Sequence, residues 1–151
     1  MKALGMFAAG LFLVSVPTIA QIQNRENALE ALYFGPTSSY KTPYLEQAAR
    51  NYAQALKSTN NGVVESAIAF SAYLRISSPG LDLRDIRRTI TDLSENGRTP
   101  VIRYKAYLAT VVFDSPMSFA GTLNDRYTDS DQFFTVVASQ VHRTLLGHNL
   151  K

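Results

Sequence analysis

Apolar residues recur at helical spacing along most of the chain, and turn residues cut the pattern into segments. Leu45, Ala48 or Ala49, Tyr52 and Leu56 share one face of a helix running from Thr42-Pro43 to about Ser58. Thr42 is placed as its N-cap and Pro43 at the first helical position, where a missing N–H costs nothing. Lys57 to Asn60 is a polar turn. Asn61 is expected to cap a second helix, whose inward stripe is Val64, Ala67, Ile68, Ser71 and Leu74 and which ends near Ile76. Ser77-Ser78-Pro79-Gly80 breaks the pattern. Asp82, with Asp85 three residues on and Leu81 and Ile86 as a hydrophobic staple, opens a third helix. That helix carries Leu83, Ile86, Ile90 and Leu93 on a narrow stripe and closes at Gly97. Thr99-Pro100 starts a fourth, with a broad apolar face of Val101, Tyr104, Leu108, Val111 and Val112 and a second stripe of Ile102, Ala106, Ala109 and Phe113.

The flanks are less regular. Met117, Ala120, Leu123 and Tyr127 keep helical spacing after Asp114-Ser115-Pro116, so a short helix is expected despite Gly121. Thr128, with Asp131 three residues later, is expected to start the last helix, with Phe134, Val137, Val141 and Leu145 inward and Gly147 at its close. Upstream, Glu26 to Phe34 spaces Ala28, Leu29, Leu32 and Tyr33 as a helix stopped by Gly35-Pro36. The first residues have a different pattern. Lys2 precedes an uncharged apolar run from Ala3 to Val16, and Pro17-Thr18-Ile19-Ala20 offers small residues for cleavage before Gln21. Residues 1–20 therefore read as a secretory signal peptide, with an uncleaved anchor as the alternative. The apolar run is shorter than the roughly 20 residues of a membrane span. The expected organisation is thus a signal peptide (1–20), an N-terminal helix and linker (21–41), a helical domain (42–147) and a tail (148–151).

Shifted by about 37 residues, the two central helix pairs overlay. Leu56 falls on Leu93, Val64 on Val101, Ala69 on Ala106, Phe70 on Tyr107, Ala72 on Ala109 and Ile76 on Phe113. Each unit is a narrow-striped helix, a polar turn and a more apolar helix. A plain helical bundle would also give striped helices. The stretches Tyr52 to Ser58, Val64 to Ala67, Phe113 to Ser115 and Tyr127 to Ser130 carry a resemblance to HEAT-repeat proteins, in particular to small exported bacterial ones. The resemblance implies an all-α fold: a short right-handed α-solenoid of about three antiparallel helical hairpins. It implies no catalytic residue and no cofactor.

Composition narrows the chemistry. The chain has no cysteine, so export would bring no disulfide, and thiol catalysis and thiolate metal sites are excluded for these residues. The net charge of +3 is too small to point to nucleic acid. His142 and His148 are six residues apart, not the four that place two ligands on one helical face. Asp125, Asp129 and Asp131 cluster at a helix start, where capping and the helix dipole account for them without a metal. No enzymatic constellation and no metal site is expected.

Two surfaces remain. Arg84, Arg87 and Arg88, joined by Arg98 and Arg103, form a basic group, but Asp85 and Asp92 stand at pairing distance along the helix, so a self-neutralised face is the main reading and an anionic-ligand site the alternative. The second helices carry the more informative pattern. Opposite their inward stripes lie Ser66, Phe70 and Tyr73, then Arg103, Tyr107 and Thr110, then Val136, Gln140 and Arg143. Aromatic and arginine side chains on such a ridge suit a protein or peptide partner. Phe70, Tyr73, Arg103, Tyr107, Gln140 and Arg143 are the expected contact residues, unless the Tyr33-Phe34 segment folds back over Phe70 and Tyr73. The expected function is a non-enzymatic binding or scaffolding module of the bacterial envelope, exported to the periplasm or beyond.

Overall fold

The computed structural model describes residues 42–125 and 127–148, with side chains through 144. The expected signal peptide and the Glu26–Phe34 helix lie outside the described residues, as do residues 149–151 of the tail. Among the described residues the chain is helical, without a strand: α1 (Thr42–Ala55), α2 (Asn61–Ser77), α3 (Arg84–Asn96), α4 (Pro100–Asp114), a 3-10 helix (Pro116–Asn124) and α5 (Ser130–His148).

Short turns join α1 to α2 and α3 to α4, and each pair packs together. The pairs also meet each other like to like, α1 against α3 and α2 against α4. One core runs through them. The stripe expected on α2 is buried in full: Val64, Ala67, Ile68, Ser71 and Leu74. On α3, Leu83, Ile86 and Ile90 are buried and Leu93 is half-buried. On α4 the buried stripe is Ile102, Ala106, Ala109 and Phe113, together with Leu108 and Val112. Val101 and Tyr104, expected to face inward, face outward instead. The reason is steric: α4 has two candidate stripes, and the one with alanines allows its backbone to approach α2.

Helix starts follow the expected chemistry with shifts of a residue or two. Thr99 caps α4, its hydroxyl accepting the Ile102 N–H at 3.1 Å. Asn60, not Asn61, caps α2, its side-chain oxygen accepting the amides of Gly62 (2.9 Å) and Val63 (3.4 Å). Asp82 is not the cap of α3. Leu83 holds that position; Asp82 Oδ1 accepts the Arg84 amide at 3.2 Å, while the Arg84 guanidinium grips the same carboxylate bidentately, Nε on Oδ1 at 2.9 Å and Nη2 on Oδ2 at 2.6 Å. At α5 the capping box sits one residue later than expected. Asp129 accepts the Gln132 amide at 2.9 Å, and Gln132 Oε1 accepts the Thr128 amide at 3.2 Å.

Gly97 ends α3 as expected, but the glycine answers to space, since its φ is −56°. A Cβ there would stand 2.5 Å from the Leu93 carbonyl oxygen and 2.8 Å from Ile102 Cγ2. The turn it opens is tied to the first pair. Arg98 donates Nη1 to the Thr59 carbonyl at 2.8 Å and Nη2 to the Ser58 carbonyl at 2.7 Å, so the α3–α4 turn clamps the α1–α2 turn.

The segment after α4 takes a form the periodicity does not predict. It is a 3-10 helix, consistent with Gly121 within it, a weak former of an α-helix interior. It packs on α2, α4 and α5. Tyr127 fastens its end: the buried hydroxyl donates to the Thr122 carbonyl at 2.9 Å and lies 3.3 Å from Asp125 Oδ2. Burial, then the Asp125 charge, pushes the Tyr127 phenol up to about 12. Helix α5 lies against both α2 and α4. Its inward residues are Phe133, Phe134 and Val137, with Val141 half-buried. Phe133, fully buried, was not on the expected stripe, and its ring meets those of Tyr73, Tyr127 and Phe134 edge-on.

Candidate protein-interaction surface

The expected contact residues divide into three groups. Tyr73 is buried, because α5 lies over it and Phe133 meets its ring at 6.4 Å and 67°. Its placement on an open face is therefore corrected: among the described residues α5 covers it, and the Tyr33-Phe34 segment lies outside them. Burial also raises the Tyr73 phenol above its ordinary value. Phe70 is half-buried and stacks on Tyr52 of α1, centroids 5.3 Å apart and planes 10° off parallel. These two aromatics belong to the packing around α2 and not to a shared ridge with α4.

Arg103 is half-buried and donates Nη1 to the Gly97 carbonyl at 2.8 Å, which fixes its stem across the start of α4. Gln140 is half-buried, with Nε2 3.5 Å from the Ser118 carbonyl, a weak contact. Arg143 is exposed. Tyr107 is exposed, as expected, with 53% of its surface open.

Tyr107 is joined by residues that the sequence reading put inside. Tyr104 is 56% and Val101 49% exposed. Pro100, Tyr104, Tyr107, Val111 and Asp114 follow the alternating four- and three-residue spacing of a heptad seam, so they form one stripe along α4. Val111 is half-buried at its inner edge. Between Pro100 and Asp114 the stripe carries no charge. The Thr110 hydroxyl beside it is turned back onto the Tyr107 carbonyl at 2.7 Å. The signal available in the sequence was the doubling of apolar stripes on α4, of which only one can face α2.

The arginine group is committed elsewhere. Arg84 pairs with Asp82, Arg88 with Asp85 at 2.7 Å, and Arg87 with Asp114 at 2.6 Å. The Arg84 hydrogen bonds hold the Asp82 carboxyl down to about 2. Asp92, expected to share Arg88, instead accepts from the Asn96 side chain at 2.9 Å. Arg98 is spent on the turn carbonyls described above. A cleft of about 580 Å³ between α1 and the start of α3 is lined by both signs of charge, Glu46 and Arg50 facing Asp85 and Arg88 across Ala49 and Leu83.

The acidic residues near α5 have separate duties. Asp129 caps the helix, Asp125 lies against the Tyr127 hydroxyl, and Asp131 meets Lys105 at 2.5 Å. Lys105 is a side chain the sequence reading passed over. It is 5% exposed, and its ammonium also reaches Glu65 Oε2 at 2.6 Å and Ser130 Oγ at 3.1 Å. Burial lowers the Lys105 pKa, and the two carboxylates outweigh it, so the group is held above its ordinary value and fully charged. An ammonium so held is a cross-tie between α2, α4 and α5, not a nucleophile. Comparison with protein-family models, with curated proteins and with solved structures returns no match for this chain.

Proposed function

We propose that the chain is a non-enzymatic protein- or peptide-binding module of the bacterial cell envelope, exported by its N-terminal signal peptide. In this reading the helical pairs are HEAT-like units of a short right-handed α-solenoid, and α5 is a closing element laid over them. Two contacts support that architecture. The pairs meet like to like, and the Arg98 clamp joins equivalent turns one repeat apart.

The observation that carries the binding role is the uncharged stripe on α4. Two tyrosines and a valine stand open to solvent on a rigid, well-capped helix. Tyrosine offers a large contact area for little lost rotamer freedom and is enriched among residues that dominate protein interfaces. The alternative, a small anionic ligand or polymer on Arg84, Arg87, Arg88 and Arg98, has less support, since three of these guanidinium groups face carboxylates and the fourth holds backbone carbonyls.

A photo-crosslinking residue at position 107, activated in living cells, tests the role. A discrete adduct that disappears when Tyr104→Ser is added is the expected result. A folded protein that gives no adduct from position 107 overturns it.

A further inference from the structure

The α4 stripe has polarity. Its uncharged members Tyr104, Tyr107 and Val111 are flanked on one side by Arg103 near the N-terminal end, and the stripe ends at Asp114. These two charges are eleven residues apart, which returns them to nearly the same angle around the helix, about 16 Å apart along its axis. A stripe edge with a positive charge near one end and a negative charge at the other is complementary to itself when reversed.

We propose that this stripe is a two-fold self-association face, on which α4 of a second copy of the chain lies antiparallel; the proposal rests on the binding role assigned above and names its partner. The reversal sets Arg103 of each copy against Asp114 of the other and brings the Tyr107 side chains together at the centre. An isologous contact of this kind needs one self-complementary patch and closes at a dimer. Antiparallel helix dipoles add to the complementarity. Among the described residues, Asp114 uses Oδ1 for Arg87, which leaves Oδ2 for the second copy. The heptad spacing of the exposed positions lets the seam stay in register over its length.

The size of the stripe sets the strength. Two half-open tyrosines and the flanking valines from each copy bury roughly 700 Å² in total, at the low end of weak and transient contacts. The dimer is therefore expected to be weak and concentration-dependent.

Sedimentation equilibrium of the protein as purified from cells tests this, with Tyr107→Ser, Arg103→Glu, Asp114→Arg and the double charge swap. Tyr107→Ser is expected to leave only monomer. Each single charge reversal weakens the dimer about tenfold, and the swap restores it to within about threefold of the parent. A parent that stays monomeric to millimolar concentration overturns the proposal. So does a dimer indifferent to Tyr107→Ser, or a swap no better than Arg103→Glu alone. Because Arg103 also holds the Gly97 carbonyl, rescue by the swap is the decisive arm: a folding defect would not be repaired by a second reversal. The crosslink at position 107 separates the two readings. An adduct of twice the chain mass supports self-association, an adduct with a different protein alone overturns it while keeping the binding role, and no adduct overturns both.

Discussion

Helices α2 and α4 occupy equivalent places in their pairs, yet they meet different surroundings. Val64 and Ala67 of α2 are 1% and 2% exposed; the residues 37 positions later, Val101 and Tyr104, are 49% and 56% exposed. The sequence difference follows the environment. Where α1, α4, the 3-10 helix and α5 all crowd α2, the chain uses alanine and valine. Helix α4 also packs on four elements, α2, α3, the 3-10 helix and α5, but its Val101, Tyr104 and Tyr107 side stays open and carries two tyrosines. A second difference runs inward. Ile68 is fully buried among apolar atoms, whereas its counterpart Lys105 is buried against Glu65 and Asp131. So α2 is closed by packing, and α4 is joined to its neighbours partly by charge and left open on one side.

The closure of α2 depends most on the aromatic ring that α5 brings to it. Phe133 is fully buried against Tyr73 and Tyr127, so Phe133→Ala is expected to cost about 4 kcal/mol of unfolding free energy in urea. A loss under about 1 kcal/mol would mean that α5 is an accessory and that α2 is closed without it. Transplanting the α4 residue into α2 sharpens the contrast. Ala67→Tyr forces a ring into a filled site and is expected to cost about 3 kcal/mol. An unchanged stability there would show that the α2 face has room and that the two helices are less different than their burial indicates.

The charged tie is the next largest effect. Lys105→Ala leaves Glu65 facing a partly buried site without its cation, and a loss of about 2 kcal/mol is expected. It is less than for a fully buried pair, because Asp131 stays largely in water. The pH dependence has a definite sign. The folded Lys105 pKa lies above the unfolded value of 10.5, so its contribution is complete below pH 10.5 and disappears as pH rises through the folded value. The Lys105→Ala protein should therefore lose less stability than the parent between pH 10 and the alkaline limit of the native state.

Much of this was legible in the sequence and some was not, for physical reasons. The α2 stripe is plain because a helix crowded on most sides must place Val64, Ala67, Ile68, Ser71 and Leu74 at strict spacing. The Thr99-Pro100 start is plain because cap chemistry is local. Lys105 was not legible: a lysine on a helix reads as a solvated residue, and the carboxylates that bury it lie far away in the chain. Tyr104 was misplaced because α4 carries two apolar stripes and periodicity cannot say which one faces α2. Tyr73 was placed outside because wheel geometry knows only its own helix, and α5 arrives from another segment. Capping was right in kind and shifted by a residue where two adjacent side chains can both cap, Asn60 beside Asn61 and Asp129 beside Thr128.

The smallest expected effect bears most on function. Tyr104→Ala removes a side chain that the fold does not use, and helix propensity favours alanine at an exposed site. The stability of dilute, monomeric protein should therefore change by no more than about 0.5 kcal/mol, against about 3 kcal/mol for Ala67→Tyr at the equivalent place in α2. A large, exposed aromatic residue whose removal leaves folding untouched is what the proposed binding role requires of Tyr104. If Tyr104→Ala instead destabilises the monomer by 2 kcal/mol or more, the ring is packing against the chain itself, and the open side of α4 is a second closed face like that of α2.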